Sequence, residues 1–82
     1  MATVTFYGPL SDIMGRKRAV EIGAGGMSIR GLIEWLEAGE PEFRTALARM
    51  RVKFARNDEI ASPEDMVSDG DDIAVLPPFS GG

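Results

Sequence analysis

The chain closes in Pro77-Pro78-Phe79-Ser80-Gly81-Gly82. Its most chemically capable group is the carboxylate of Gly82, because neither closing glycine carries a side chain to block an approach. Glycine also accepts backbone angles that other residues avoid, so Gly81-Gly82 suits a narrow channel. Pro77 and Pro78 stiffen the approach and hold the segment extended. Six extended residues reach about 20 Å at ~3.3 Å each. A folded body over 1–76 and an extended tail over 77–82 are expected, the tail delivering its carboxylate to a buried site elsewhere.

The rest of the composition supplies little competing chemistry. There is no cysteine and no histidine, which removes thiolate nucleophiles, thiolate metal sites and the commonest general base. The carboxylate pairs Glu64-Asp65 and Asp71-Asp72 lie in turn-like segments without such partners, so no metal site is expected. A chain of 82 residues is one small domain with a thin core, better suited to binding, carrying or regulating than to housing a full catalytic pocket. The net charge of −4 and pI of about 4.6 argue against nucleic acid, whose phosphates need a basic surface. No run reaches membrane-spanning length, and Met1–Thr5 lacks a signal-peptide pattern. A soluble, cytoplasmic protein is expected.

The elements that must hold the tail follow from hydrophobic spacing. Residues 3–7 alternate as a strand with Val4 and Phe6 on one face. Residues 10–16 form a connection carrying Leu10, Ile13 and Met14, and 18–22 form a second strand antiparallel to the first. Ser28 is a helix N-cap. Ile29, Leu32, Ile33 and Leu36 then recur with one helical stripe's spacing, and Gly39 stops that helix. Trp35 falls off the stripe and is expected to cap the core edge.

A second short helix is expected near Pro41, with Phe43, Ala46, Leu47 and Met50 on one face. Residues 51–55 form a strand with Val52 and Phe54 inward, Asn57-Asp58 a turn and 59–61 a short edge strand. Met66 and Val67 are expected in one 3₁₀ turn. Asp69-Gly70 is a tight-turn pair, and 72–76 is the last strand. The order describes a β-grasp roll of the α+β class: a mixed sheet with a helix across one face, the first and last strands side by side and parallel.

With Val4, Phe6, Val52, Phe54, Ile73 and Val75 facing the helix, the other sheet face carries Thr5, Tyr7, Ala74 and Leu76, with Ile60 at the edge. Tyr7, Leu76 and Ile60 would form an apolar patch beside the root of the tail, and contiguous exposed patches mark partner surfaces. The basic groups Arg16-Lys17-Arg18 and Arg49, Arg51, Lys53, Arg56 read as solvated charge.

The stretch from Val67 through Asp69-Gly70-Asp71-Asp72-Ile73-Ala74-Val75-Leu76 to Pro77-Pro78-Phe79-Ser80-Gly81-Gly82 resembles the small subunit of molybdopterin synthase. These MoaD-type sulfur carriers end in a DGDEVA-like strand followed by Pro-Pro-x-Ser/Thr-Gly-Gly. Val4-Thr5-Phe6-Tyr7-Gly8 and Leu10, Ile13 and Gly15 also fit the family's opening. The chain departs from the pattern at Arg56 before Asn57, at Leu76 for a common aromatic and at Asp72 for the usual glutamate.

The resemblance implies a ubiquitin-like β-grasp carrier that is not an enzyme alone. It binds no cofactor itself. An E1-like activating enzyme adenylates the Gly82 carboxylate with ATP, and a sulfur donor protein converts it to a thiocarboxylate. The large subunit of molybdopterin synthase, in a heterotetramer, takes the tail and passes sulfur to cyclic pyranopterin monophosphate for molybdenum cofactor biosynthesis. On the same basis Gly82 carries sulfur, Gly81 lets the tail pass, and Tyr7, Ile60, Leu76, Pro77, Pro78 and Phe79 meet partners. The alternatives are a carrier for thiamine or tRNA thiolation, a ubiquitin-like modifier joined to lysines, and a plain interaction module.

Overall fold

The computed structural model describes residues 1–78; the sites expected at Phe79, Gly81 and Gly82 lie outside them. In chain order the elements are β1 (Ala2–Phe6), α1 (Pro9–Met14), β2 (Lys17–Val20), β3 (Met27–Ser28), α2 (Ile29–Gly39), α3 (Pro41–Ala48), β4 (Lys53–Arg56), β5 (Glu59–Ala61), β6 (Met66–Val67) and β7 (Asp72–Leu76). The main sheet runs β2-β1-β7-β4-β5, and β3 pairs with β6 in a second sheet. β1 and β7 are parallel neighbours at the centre, while β2, β4 and β5 pair antiparallel. This is the expected β-grasp.

Alternation divides the sheet. Val4, Phe6, Ile73 and Val75 are at most 1% exposed, as are Ile29, Leu32 and Phe43 of the helices that cover them. Phe6 meets Phe43 edge-on, with centroids 5.5 Å apart and planes at 86°, a geometry that contributes about 0.5–1.5 kcal/mol beyond burial. Ser28 caps α2 by accepting the Gly31 N–H at 3.0 Å. Pro41 opens α3 in the first turn, where its missing N–H costs nothing.

Several details differ from expectation. The connection after β1 contains α1, which opens on Pro9 and buries Leu10 and Met14 one turn apart. β1 stops at Phe6, β2 runs over 17–20 and β4 over 53–56, boundary shifts of one or two residues. Met66 and Val67 are a strand and not a 3₁₀ turn, because Met27 and Ser28 supply ladder partners. Trp35 does not cap the core; it is 60% exposed, since the stripe at Ile29, Leu32, Ile33 and Leu36 already fills the helix-facing side. Arg18 is not simply solvated: it donates to Met14 O at 2.8 Å and Glu40 Oε2 at 3.0 Å, joining β2 to the ends of α1 and α2.

Candidate functional site

The site is the open sheet face and the point where the chain leaves it. β7 alternates buried Ile73 and Val75 with half-buried Ala74 and Leu76. Its register with β1 sets Ala74 against Thr5 and Val75 against Phe6. Tyr7, one residue beyond β1, therefore stands level with Leu76. Tyr7 is 44% exposed. On the other flank of β7, Lys53 of β4 faces Leu76 and Ala55 faces Ala74. Ile60 of β5 faces Ala55 and is 72% exposed.

Thr5, Ala74, Ala55 and Ile60 thus form one row across four strands, and Tyr7, Leu76 and Lys53 a second row nearer the tail. The apolar residues join diagonally: Leu76 and Ala74 on β7, then Ala55 and Ile60. Ala55 is 9% exposed, a small side chain sheltered between its row neighbours, and it bridges an apolar path that would otherwise break. Sequence reasoning does not single it out, because alanine gives no face preference; only register with Ile60 reveals its role.

Beyond Leu76, Pro77 is half-buried and Pro78 exposed. Pro77 lies against Gly8, whose φ is 58° and where an added Cβ would stand 3.3 Å from Pro77 Cγ. From sequence Gly8 is only the end of the first strand. In the folded chain it also shapes the exit of the tail, since its backbone turns just where Pro77 must fit. Tyr7, Gly8, Leu76 and Pro77 consequently form one corner, from which the tail starts.

At the far end of the face the turns are tied together. Asn57 and Asp58 take left-handed φ values of 51° and 70°, the two-residue turn that matches the twist of β4 and β5. Asn57 donates through Nδ2 to Asp71 Oδ1 at 3.1 Å and accepts the Asp72 N–H at 2.9 Å. Asp71 also accepts the Ser68 N–H at 2.8 Å. That backbone donor, then Asn57, holds the Asp71 carboxyl below its ordinary value. Asp65 accepts the Ser62 N–H. Two of the paired acidic residues thus organise turns, and among the described residues no cluster of His, Cys, Asp or Glu gathers as for a metal ion.

A hollow of about 200 Å³ lined by Thr5, Tyr7, Lys17, Asp58, Asp72 and Ala74 lies on the same face. Ligand pockets usually occupy ~300–1,000 Å³, so this surface suits a protein partner better than a small molecule. Among the described residues no helix is long and apolar enough to cross a membrane.

Comparison with known proteins agrees with this architecture. The ThiS family model matches residues 4–82. No curated protein gives a significant sequence match. Among solved structures, SAMP1 of Haloferax volcanii, a small archaeal modifier protein, is 24% identical over 99% of this chain and 98% of its own, with a TM-score of 0.78. A chain in the complex of molybdopterin-converting factor subunits 1 and 2 from Helicobacter pylori is 23% identical over 99% and 97%, at 0.68. One in the BexX/CysO complex of Amycolatopsis orientalis is 24% identical over the full length of both, at 0.71. Such identities establish a shared fold.

Proposed function

The chain belongs to the ThiS family, and from that premise we propose that it is a sulfur carrier working through the Gly82 carboxylate in molybdenum cofactor biosynthesis. The observation that carries the reading is the corner at Leu76 and Pro77. There Pro77 leaves the sheet beside the apolar path of Leu76, Ala74, Ala55 and Ile60, and the sequence continues as Pro78-Phe79-Ser80-Gly81-Gly82. A partner that grips Tyr7, Ala74 and Leu76 receives the tail at a defined point. Pro78 and Phe79 extend the same contact, and Ile60 contributes from the edge.

The chemistry needs no base or metal from this chain. A carboxylate is a poor electrophile, so an E1-like enzyme must first activate it. Its oxygen attacks the α-phosphorus of ATP, pyrophosphate leaves, and the acyl-adenylate forms. A sulfur donor protein then delivers sulfur at the sulfide level, whose attack on the acyl carbon forms the C–S bond, breaks the C–O bond to AMP with its electron pair, and leaves the terminus a thiocarboxylate. In the large subunit of a molybdopterin synthase that sulfur passes to cyclic pyranopterin monophosphate. The Gly81-Gly82 end lets the reacting carbon enter sites that would exclude a side chain. The pairing of two subunits in the Helicobacter pylori complex supports a large-subunit partner here.

A second reading is supported by the likeness to a small archaeal modifier protein: the same activated glycine joins a lysine through an isopeptide bond. Co-expression with an E1-like enzyme and a sulfur donor, followed by intact mass, separates the two. Replacement of one oxygen by sulfur at the terminus is expected. Lysine-linked conjugates without any thiocarboxylate would favour the modifier, and neither product would leave only an interaction module.

A further inference from the structure

The sequence contains two lysines, Lys17 and Lys53, and the sheet register sets both on the open face. Lys17 faces Thr5 across β1 and β2, and Thr5 faces Ala74. Lys53 faces Leu76 across β4 and β7. Both side chains are exposed. With strands ~4.8 Å apart and ~3.3 Å per residue, the Lys17 and Leu76 backbones are separated by about 12 Å, and Lys53 is an immediate neighbour of Leu76. A standard interface covers ~800 Å² per partner, a disc about 16 Å in radius. Any such interface centred on Leu76 and Tyr7 includes both lysines.

Arginines supply the other seven of the chain's nine basic side chains, and Arg18, Arg30 and Arg56 are engaged with Glu40, Glu64 and the Met66 carbonyl. The side-chain amines, the groups that accept acyl transfer, are confined to the face that presents the tail.

We propose that Lys17 and Lys53 are acylation sites that close the open face to the activating enzyme. The inference rests on the carrier reading, in which that enzyme docks on this face. An uncharged lysine Nζ attacks the carbonyl carbon of an activated carboxylate, such as the acyl-adenylate of a second copy. The new C–N bond forms, the C–O bond to AMP breaks with its electron pair, and the extra Nζ proton passes to water. A copy attached at either lysine stands inside the docking footprint. The modified chain can no longer be charged, so lysine attachment withdraws that copy from the carrier pool.

The test uses the full chain, ATP and an E1-like adenylating enzyme, with ATP–pyrophosphate exchange as the readout. The N-hydroxysuccinimide ester of a polyethylene glycol supplies a bulky acyl group in place of a second copy. Treated wild type is expected to lose more than about tenfold in exchange, the scale of a central interface disruption. The Lys17→Arg/Lys53→Arg double variant keeps both charges but lacks both amines, and the same treatment should leave its exchange at that variant's own untreated rate, whatever that rate is. Either single arginine variant should still be blocked. Undiminished exchange by treated wild type overturns the inference and leaves the carrier reading standing. Equal loss in the treated double variant also overturns it, assigning the block to the terminal amine. No exchange by the untreated chain overturns the carrier reading and the inference with it.

Discussion

Gly8 and Pro77 touch across the ends of the two central strands: a Cβ on Gly8 would stand 3.3 Å from Pro77 Cγ. One residue beyond Tyr7 therefore meets one residue beyond Leu76, and the tail's direction is set by a turn almost seventy positions earlier in the chain. Alanine at Gly8 faces two penalties, a φ of 58° and the proline ring. We expect Gly8→Ala to cost on the order of 1–3 kcal/mol in thermal or denaturant unfolding, and to lower the rate of adenylation. Gly15 provides the comparison, because its φ is 81° but an added Cβ meets nothing within 4 Å. Gly15→Ala should lose stability and keep adenylation near wild type. If both variants lose adenylation in proportion to stability, Gly8 has no separate role at the tail.

Tyr7→Asp and Leu76→Asp should each weaken binding to the activating enzyme and to the large synthase subunit by well over tenfold. Truncated central anchors commonly cost upwards of ~2 kcal/mol, and an aspartate adds an unpaired charge to the buried contact. Melting temperature should change less, because neither residue is among the fully buried side chains. Titration calorimetry against each partner, alongside melts of the free protein, checks both halves. Unchanged affinity with a collapsed melting temperature would place these residues in the core.

Deletion of Gly82 should leave the melting temperature within error and abolish thiocarboxylate formation, since the activated carbon is removed. Gly81→Ile should cut adenylation or tail insertion sharply by placing a branched side chain where a close channel is proposed. Sulfur transfer by the Gly82-deleted chain would sink the carrier reading.

Asp71 gives the molecule a defined response to acid. Its folded-state pKa is lowered by the Ser68 N–H and by Asn57, so the charged form is favoured by folding. Its contribution is fully present above the ordinary carboxylate value near ~4 and is lost as pH falls through the lower folded value. Asp71→Asn should therefore lower the melting temperature at pH 7, with the gap to wild type narrowing below about pH 4. A gap that stays constant across that range would show that Asp71 acts only through shape.

The β-grasp is legible in the chain because its signals are local and periodic. Alternation at Val4 and Phe6, and at Ile73 and Val75, the stripe from Ile29 to Leu36, Ser28 before it and Gly70 in its turn each follow from short-range backbone rules. The tail is legible too, since Pro-Pro and Gly-Gly carry their backbone consequences wherever they stand. The sequence likewise determined which residues alternate outward, Thr5, Tyr7, Ala74 and Leu76 among them.

Tertiary structure decided what those outward residues meet. Lys53 faces Leu76, Ala55 links Ala74 to Ile60, and Pro77 lies against Gly8. Each juxtaposition depends on inter-strand register or on a turn's path, which side-chain spacing within one segment does not encode. Met66 and Val67 became a strand for the same reason: their partners, Met27 and Ser28, are distant in sequence. Trp35 escapes a reading by periodicity because a helix has room for one buried stripe, and exposure of its remaining faces depends on what else packs there. Periodicity identified the two faces of the sheet; register assembled the corner that presents the tail.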